Sequence, residues 1–261
     1  MKAEADIAVV ITSHNYGRYL GQCLQSVADQ SLRPKEVVVV DDASTDETAL
    51  VMRQFPEVAY YSVSFHNGNR ARNFGFSQVS CKAVVFFDAD NYMTPDFLQV
   101  LYGSLTRAEG VDFVYCDRIH FGEGDVSWYP HPMGLWQSRP FDRVLLKTFN
   151  YIDLASLMWS RSFPGFDETL QRYQDWDLWL NMVLKNGRLG QYVAEPLFYY
   201  RVHGMKSSRL QGRGRARWHI RRKYRIGFGA LPGVRNLFWL YRSSRQIKAG
   251  LRRILGGQIL S

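Results

Sequence analysis

The chain has 261 residues, 46% hydrophobic and 15% aromatic, with 33 Lys plus Arg against 24 Asp plus Glu for a net charge of +9. That composition excludes a disordered polar coil and leaves length for one large domain or two small ones. The three cysteines, Cys23, Cys81 and Cys116, lack metal-ligand spacing, and no apolar window approaches the ~18 to 20 residues that span a bilayer or opens the chain as a signal peptide, so packing thiols in a reducing compartment and a protein neither exported nor membrane-spanning are expected.

Residues 7–11 form a continuous apolar run rich in β-branched side chains, the pattern of a strand covered on both faces. Leu20, Cys23, Leu24 and Val27 then recur at i, i+3, i+4 and i+7, one face of a helix. Residues 37–40 predict a second buried strand, and Ser44-Thr45-Asp46-Glu47 has capping-box spacing, which predicts a helix start there. Further strands are expected at 58–63 and 83–87. Thr94-Pro95 reads as an N-cap followed by proline, opening a helix that runs to Arg107, with a strand after it at 111–115. Gly, Pro and aromatic residues cluster between His120 and Pro140, where a loop or hairpin that shapes a pocket is expected. Residues 151–160 are apolar enough to return to the sheet. Trp176, Trp179, Leu180, Val183 and Leu184 fall on one stripe of a helix over 175–187, with Gly187 ending it. Strands at 189–193 and 197–202 finish the body. Repeated β-α units of this length predict an α/β fold with a mainly parallel sheet and helices on both faces.

In open α/β sheets ligands bind beyond the carboxyl ends of the strands, which singles out the polar residues that follow apolar runs. Thr12, Ser13, His14 and Asn15 follow the first run, Asp41 and Asp42 the second, Asp88 and Asp90 the fourth; Asp175 opens the Trp-rich helix. Two carboxylates as close as Asp88 and Asp90 repel unless a cation or protons neutralise them, and such oxygen ligands suit Mg2+ or Mn2+ bridging a diphosphate. The pair also fits an acidic turn, or the nucleophilic motif of a haloacid-dehalogenase-type phosphatase with Asp88 attacking, although that motif normally opens its domain. Asp41 and Asp42 fit either turn residues or acceptors for a base or ribose.

Taken together, VVITSHNYGRYLGQCLQSVADQSLRPKEVVVVDDASTDET at the start, NGNRARNFG at Asn67, VVFFDADN ending at Asn91, FDETL at Asp167, QDWDLWL at Gln174 and YRVHGMKSS at Tyr200 resemble the family 2 glycosyltransferases, which have the Rossmann-like GT-A fold. The resemblance spans about residues 6–208. It implies a nucleotide pocket lined by Thr12, His14, Asn15, Asp41 and Asp42, one of the two carboxylates recognising the base. It places Arg72 near the donor diphosphate, makes Asp88 and Asp90 the Asp-X-Asp metal ligands, and matches His203 to a position that in some relatives approaches the metal or diphosphate. Asp175 matches the catalytic base of an inverting transfer; Gln174 stands where many relatives have Glu. Asp177 is an alternative base, although a helix starting at Asp175 turns it roughly 200° away. The spacing of Trp176 and Trp179 favours core packing over sugar stacking, whereas Trp128, Tyr129, Trp136 and Phe141 are acceptor-site candidates.

The charge is unevenly spread. Residues 205–261 carry 15 Lys and Arg and no acid, which leaves 18 bases against all 24 acids in the rest, a net −6. The expected division is a catalytic domain over 1–208 and a basic helical tail over 209–261. Val234, Leu237, Phe238 and Tyr241, then Ile247, Leu251, Ile254 and Leu255, have amphipathic spacing among arginines, which favours an anionic membrane surface over a solvated extension or nucleic acid. The combined expectation is an inverting, Mn2+- or Mg2+-dependent transfer from a nucleotide sugar, a uridine diphosphate sugar first, to a glycan or lipid-linked acceptor at the cytoplasmic membrane face. A non-catalytic sugar- or nucleic-acid-binding protein is the alternative from another class.

Overall fold

The structure, a computed structural model, describes residues 2–127, 129, 131–204 and 213–227. Its first half alternates as the apolar runs require: β1 (Glu4–Ser13), α1 (Gly17–Ala28), β2 (Arg33–Asp42), α2 (Thr48–Met52), β3 (Ala59–Val63), α3 (Gly68–Ser77) and β4 (Ala83–Asp88). These four strands lie side by side as β3-β2-β1-β4, all parallel. Both faces of β1 are buried, which is why its sequence is apolar without alternation. Ile7, Val9 and Ile11 pack in one core with the α1 stripe Leu20, Cys23, Leu24 and Val27. On the other face α3 approaches so closely that a Cβ on Gly75 would lie 2.5 Å from Val10 Cγ1 and 3.0 Å from Val40 Cγ2.

The second half adds β5 (Tyr92–Met93), α4 (Phe97–Arg107), β6 (Phe113–Glu123), β7 (Gly134–Trp136), α5 (Arg143–Thr148), β8 (Leu157–Trp159), α6 (Gln174–Leu180), β9 (Gly190–His203) and α7 (Arg213–Lys223). Among the described residues these strands complete one sheet in the order β3-β2-β1-β4-β8-β6-β9-β5, with β7 hairpinned onto β6. The short β8 is antiparallel to both neighbours, and β6 pairs β9 in parallel. The result is the expected mainly parallel α/β sheet, with mixed pairing only in its second half.

Several local expectations are corrected. The capping box does not form: Ser44 Oγ instead accepts from the Asn15 amide at 2.8 Å, and Asp46 takes the Thr48 and Gly17 amides. Thr94 does not cap α4; its hydroxyl donates to the Leu197 carbonyl of β9 at 2.8 Å. The two strands expected at 189–193 and 197–202 are one strand with a register shift against Cys116 to Arg118. The Trp-rich helix loosens after Leu180 into a π turn, Asn181–Lys185, and ends at Gly187 with φ +67°.

The chain divides into two compact units, Met1–Tyr224 and Arg225–Ser261. The first extends beyond the expected boundary at 208 because α7 is anchored to the body. Lys223 pairs with Asp167 at 2.6 Å and Asp177 at 2.8 Å, the Tyr224 hydroxyl donates to Asp177 at 2.9 Å, and Ile220 is fully buried. Trp128 and the two apolar sets at 234–241 and 247–255 lie outside the described residues. No helix among the described residues is long and apolar enough to cross a membrane. All three cysteines are free and buried, as packing thiols are.

Candidate active site

The carboxyl ends of β1, β2 and β4 converge on one edge of the sheet, with Thr12 opposite Val40 on one side and Asp88 on the other. Three residues with left-handed backbone, Asn15, Ala43 and His66, follow β1, β2 and β3, with φ between 50° and 62°; Tyr173, which precedes α6, and Arg225, which follows α7, share that backbone. Away from asparagine such backbone is costly, and three consecutive strand ends adopt it at this edge. His14 is exposed, its Nδ1 donating to the Asp42 carbonyl at 2.5 Å, and the Asn15 side chain accepts from the Thr45 amide.

Asp41 and Asp42 are both buried but differ in what they have left to offer. Asp42 accepts three backbone amides, from Phe65, His66 and Asn67 at 2.6 to 2.8 Å, and so anchors the chain entering α3. Asp41 accepts one partner per oxygen, the Ser44 amide at 3.1 Å and the Tyr60 hydroxyl at 2.7 Å. By the inventory of carboxylate lone pairs Asp41 keeps more acceptor capacity for a ligand.

Asp88 and Asp90 are held by different groups. Arg72 donates to Asp88 Oδ1 at 2.9 Å, and its other terminal nitrogen reaches Asn69 Oδ1 at 3.3 Å. Asp90 is buried with His203, whose Nε2 lies 3.0 Å from Asp90 Oδ2 while Tyr16 and Tyr19 pack on the imidazole. A carboxylate oxygen and a neutral imidazole nitrogen are both ligand types that Mn2+ accepts, so this pair would suit a divalent cation in place of the hydrogen bond between them. Among the described residues no three His, Cys, Asp or Glu side chains form a group that could hold a metal; an ion here would take its remaining ligands from a diphosphate and water, as Mg2+ commonly does. Arg201, absent from the expected set, positions this turn: its Nε donates to the Asp90 carbonyl at 2.9 Å, its backbone amide to Asn91 Oδ1 at 3.0 Å, and its terminal nitrogens to Glu123 and Gln22.

Asp175 stands in the first turn of α6, partly exposed, with Oδ2 accepting from Asn150 Nδ2 at 2.7 Å. Burial, reinforced by the nearby Asp153 carboxylate, pushes its carboxyl up to about 6, against the opposing pull of Trp176 N–H, Arg118 and Arg72. A carboxyl so tuned suits general-base work near neutrality. Asp153 is itself paired with Arg118 at 2.8 Å, and Arg118 Nε donates to His120 Nε2 at 2.7 Å. Arg Nε only donates, so His120 Nε2 accepts here, and its Nδ1 lies 3.2 Å from the Tyr129 hydroxyl. Sequence reasoning missed Asn150, Asp153 and Arg118, which carry no local signal; Arg201 sits inside a recognised motif and was open to notice.

The alternative base is excluded by its surroundings. Asp177 is fully buried on the far side of α6 and satisfied by Lys223 and Tyr224. Trp176 and Trp179 are buried, their indole N–H groups donating to the Leu146 and Ile152 carbonyls, so core packing holds. Among the acceptor-site candidates, Phe141 packs edge-on against core Phe113 and is corrected to a packing residue. Trp136 and Tyr129 instead surround His120, with Trp136 stacked on it at 4.9 Å.

Residues 8–169 match the family described as Glycosyl transferase family 2. Glycosyltransferase GlyA of Streptococcus pneumoniae is 28% identical over 149 residues, covering 55% of this chain but only 21% of that protein. Among solved structures, TarS 1–349 of S. aureus in complex with UDP-GlcNAc superposes with a TM-score of 0.63 at 17% identity, over 84% of this chain and 65% of that one. Mannosyltransferase PcManGT from Pyrobaculum calidifontis, in complex with GDP-Man and Mn2+, gives 0.54 at 20% identity, over 83% and 60%. These likenesses establish the shared fold.

Proposed function

Because the chain belongs to glycosyl transferase family 2, we propose that it moves a sugar from a nucleotide-diphosphate sugar to an acceptor hydroxyl with inversion at the anomeric carbon. The observation that carries the reading is Asp175, a carboxyl held by Asn150 and raised to about 6, within electrostatic reach of the Arg72 that binds Asp88 at the carboxyl edge of β4. Asp175 takes the proton of the acceptor hydroxyl as its oxygen attacks from the face opposite the nucleotide. Arg72 neutralises charge on the departing diphosphate, and Asp41, with Thr12, His14 and Asn15 beside it, accepts from the nucleotide while Asp42 anchors the loop. Asp90 and His203 would hold a divalent ion, which when bound adds positive charge where the leaving diphosphate becomes more negative. Asp88 pairs with Arg72 through Oδ1, and its second oxygen would be available to the ion. Phosphatase chemistry at Asp88 is set aside, because the motif follows a fourth strand and the chain's family is a transferase family.

A uridine diphosphate sugar is the first donor class to test, since the higher of the two superpositions is with a protein solved with UDP-GlcNAc. The membrane-surface acceptor rests on the 15 basic residues of 205–261, a stretch that contains no acid, with the residues beyond Tyr224 as the lipid-binding part of that tail. The deciding experiment screens nucleotide sugars with Mn2+ and with Mg2+ for thermal stabilisation, then assays Asp175→Asn. Stabilisation by one donor class, retained in the variant while transfer disappears, is the expected result. A variant that transfers at the wild-type rate removes Asp175 as the base.

A further inference from the structure

An open groove of about 740 Å3 lies between the loop Thr169 to Arg172 and the first turns of α7, and shares none of the residues of the carboxylate site. Its lining brings Arg172 together with Arg215, Trp218 and His219, and none of the residues that line it is acidic. That is unusual on a body whose residues 1–204 carry a net negative charge. Trp218 is 48% exposed, an indole left at the surface rather than packed, and Arg222 lies over its ring at 5.3 Å. Guanidinium groups, always protonated, recognise phosphate in a fork geometry, while an exposed indole offers a flat apolar face to a sugar ring.

Both walls of the groove are fixed. Helix α7 is tied down by Lys223 to Asp167 and Asp177, and by Arg217 to the Thr148 carbonyl at 2.9 Å. The loop is tied to the donor side: Asn69 Nδ2 donates to the Leu170 carbonyl at 3.0 Å, and Asn69 Oδ1 accepts from the Arg72 that holds Asp88. Arg172 precedes Asp175 by three residues, separated from it by the left-handed turn at Tyr173. A ligand seated in the groove therefore touches the loop that leads into the helix of the base.

We propose that this groove binds the acceptor, and that the acceptor is a phosphate-bearing saccharide, its phosphate held by Arg172 and Arg215 and its sugar ring set against Trp218. The proposal deepens the glycosyltransferase reading and rests on it for the word acceptor, but phosphosaccharide binding is measurable without turnover. The shared chemistry is a sugar phosphate; its source is either a soluble phosphosugar or a lipid-linked one.

The test titrates the full chain with three probes: glucose 1-phosphate, the octyl phosphodiester of glucose 1-phosphate, and octyl glucoside. Both phosphate probes are expected to bind and octyl glucoside to bind far more weakly. Tighter binding of the diester assigns the lipid-linked source, and tighter binding of glucose 1-phosphate the soluble one. In R172Q/R215Q the affinity for the phosphate probes should fall about 100-fold, two charge-assisted contacts being lost at about tenfold each. R172K/R215K should recover most of it, and an unchanged melting temperature shows that the fold survives. Equal binding of octyl glucoside and the phosphate probes, or equal binding by wild type and R172Q/R215Q, overturns the proposal. Failure of every nucleotide sugar to stabilise the chain would strike the donor reading instead and leave the groove result standing.

Discussion

At the scale of single residues, the protonation of Asp175 sets how the reaction responds to pH. A base must be ionised to accept a proton, so with its carboxyl at about 6 transfer should rise as pH increases through about 6 and level off above it; a rate flat from pH 5 to 8 would contradict the assignment. Asp175→Asn should lower the transfer rate by a factor of roughly 10² to 10⁴, the usual worth of general-base catalysis, with donor affinity unchanged. Asn150 offers a finer check. Its amide is oriented by accepting from the Ile152 N–H at 3.3 Å and donates to Asp175 Oδ2, a bond that favours the ionised form. In Asn150→Ala the carboxylate loses that support, so the rising limb of the pH profile should move upward by roughly one unit. A merely structural Asn150 would lower the rate at every pH and leave the limb where it is.

At the scale of elements, two helix contacts decide how the site is held. Helix α3 carries Arg72, and its approach to β1 depends on Gly75. Alanine in a helix interior normally gains up to about 1 kcal/mol over glycine, but here its Cβ would sit 2.5 Å from Val10 Cγ1. Overpacking costs about 1–3 kcal/mol and wins, so Gly75→Ala should lower the urea midpoint; a raised midpoint would mean that β1 and α3 separate easily. Helix α7 depends on Lys223. Replacing it with Met leaves the Asp177 carboxylate, 3% exposed, with the Tyr224 hydroxyl but no cation, a loss of about 3 kcal/mol. The pH dependence carries the same signature. Although burial works against it, Asp167 is held at about 2 by Lys223 and Thr169. A depressed carboxyl contributes stability that is present above its ordinary value of 3.8 and is lost as pH falls toward 2. Acid should therefore destabilise wild type more steeply than Lys223→Met over that window, as urea melts at pH 4 and pH 2.5 would read.

At the scale of the whole molecule, the charge of +9 hides two regions of opposite sign, and the structure moves the point where the protein is best cut. Removal of 225–261 should reduce sedimentation with anionic liposomes. Removal of 213–261 should also destabilise the body, because it strips the cover from Asp177 and takes away buried Ile220. Equal stability of the two truncations would place α7 with the tail after all. The alternation of buried strands and amphipathic helices, the mainly parallel sheet and the residues at its carboxyl edge were all legible in the sequence, because burial on both faces of a strand and one face of a helix writes itself into local periodicity. So was the packing role of Trp176 and Trp179. Local pattern failed wherever a side chain had a distant partner: Ser44 meets Asn15, Thr94 meets β9, and Phe141 meets Phe113. The support around Asp175, drawn from Asn150, Asp153 and Arg118, and the groove between residues 169–172 and α7 belong to the same class. Sequence determined which groups stand at strand ends, since that follows from short-range hydrophobic order; which of them share a hydrogen bond, a charge or a cavity was decided only by tertiary packing, because those couplings act through space between residues far apart in the chain.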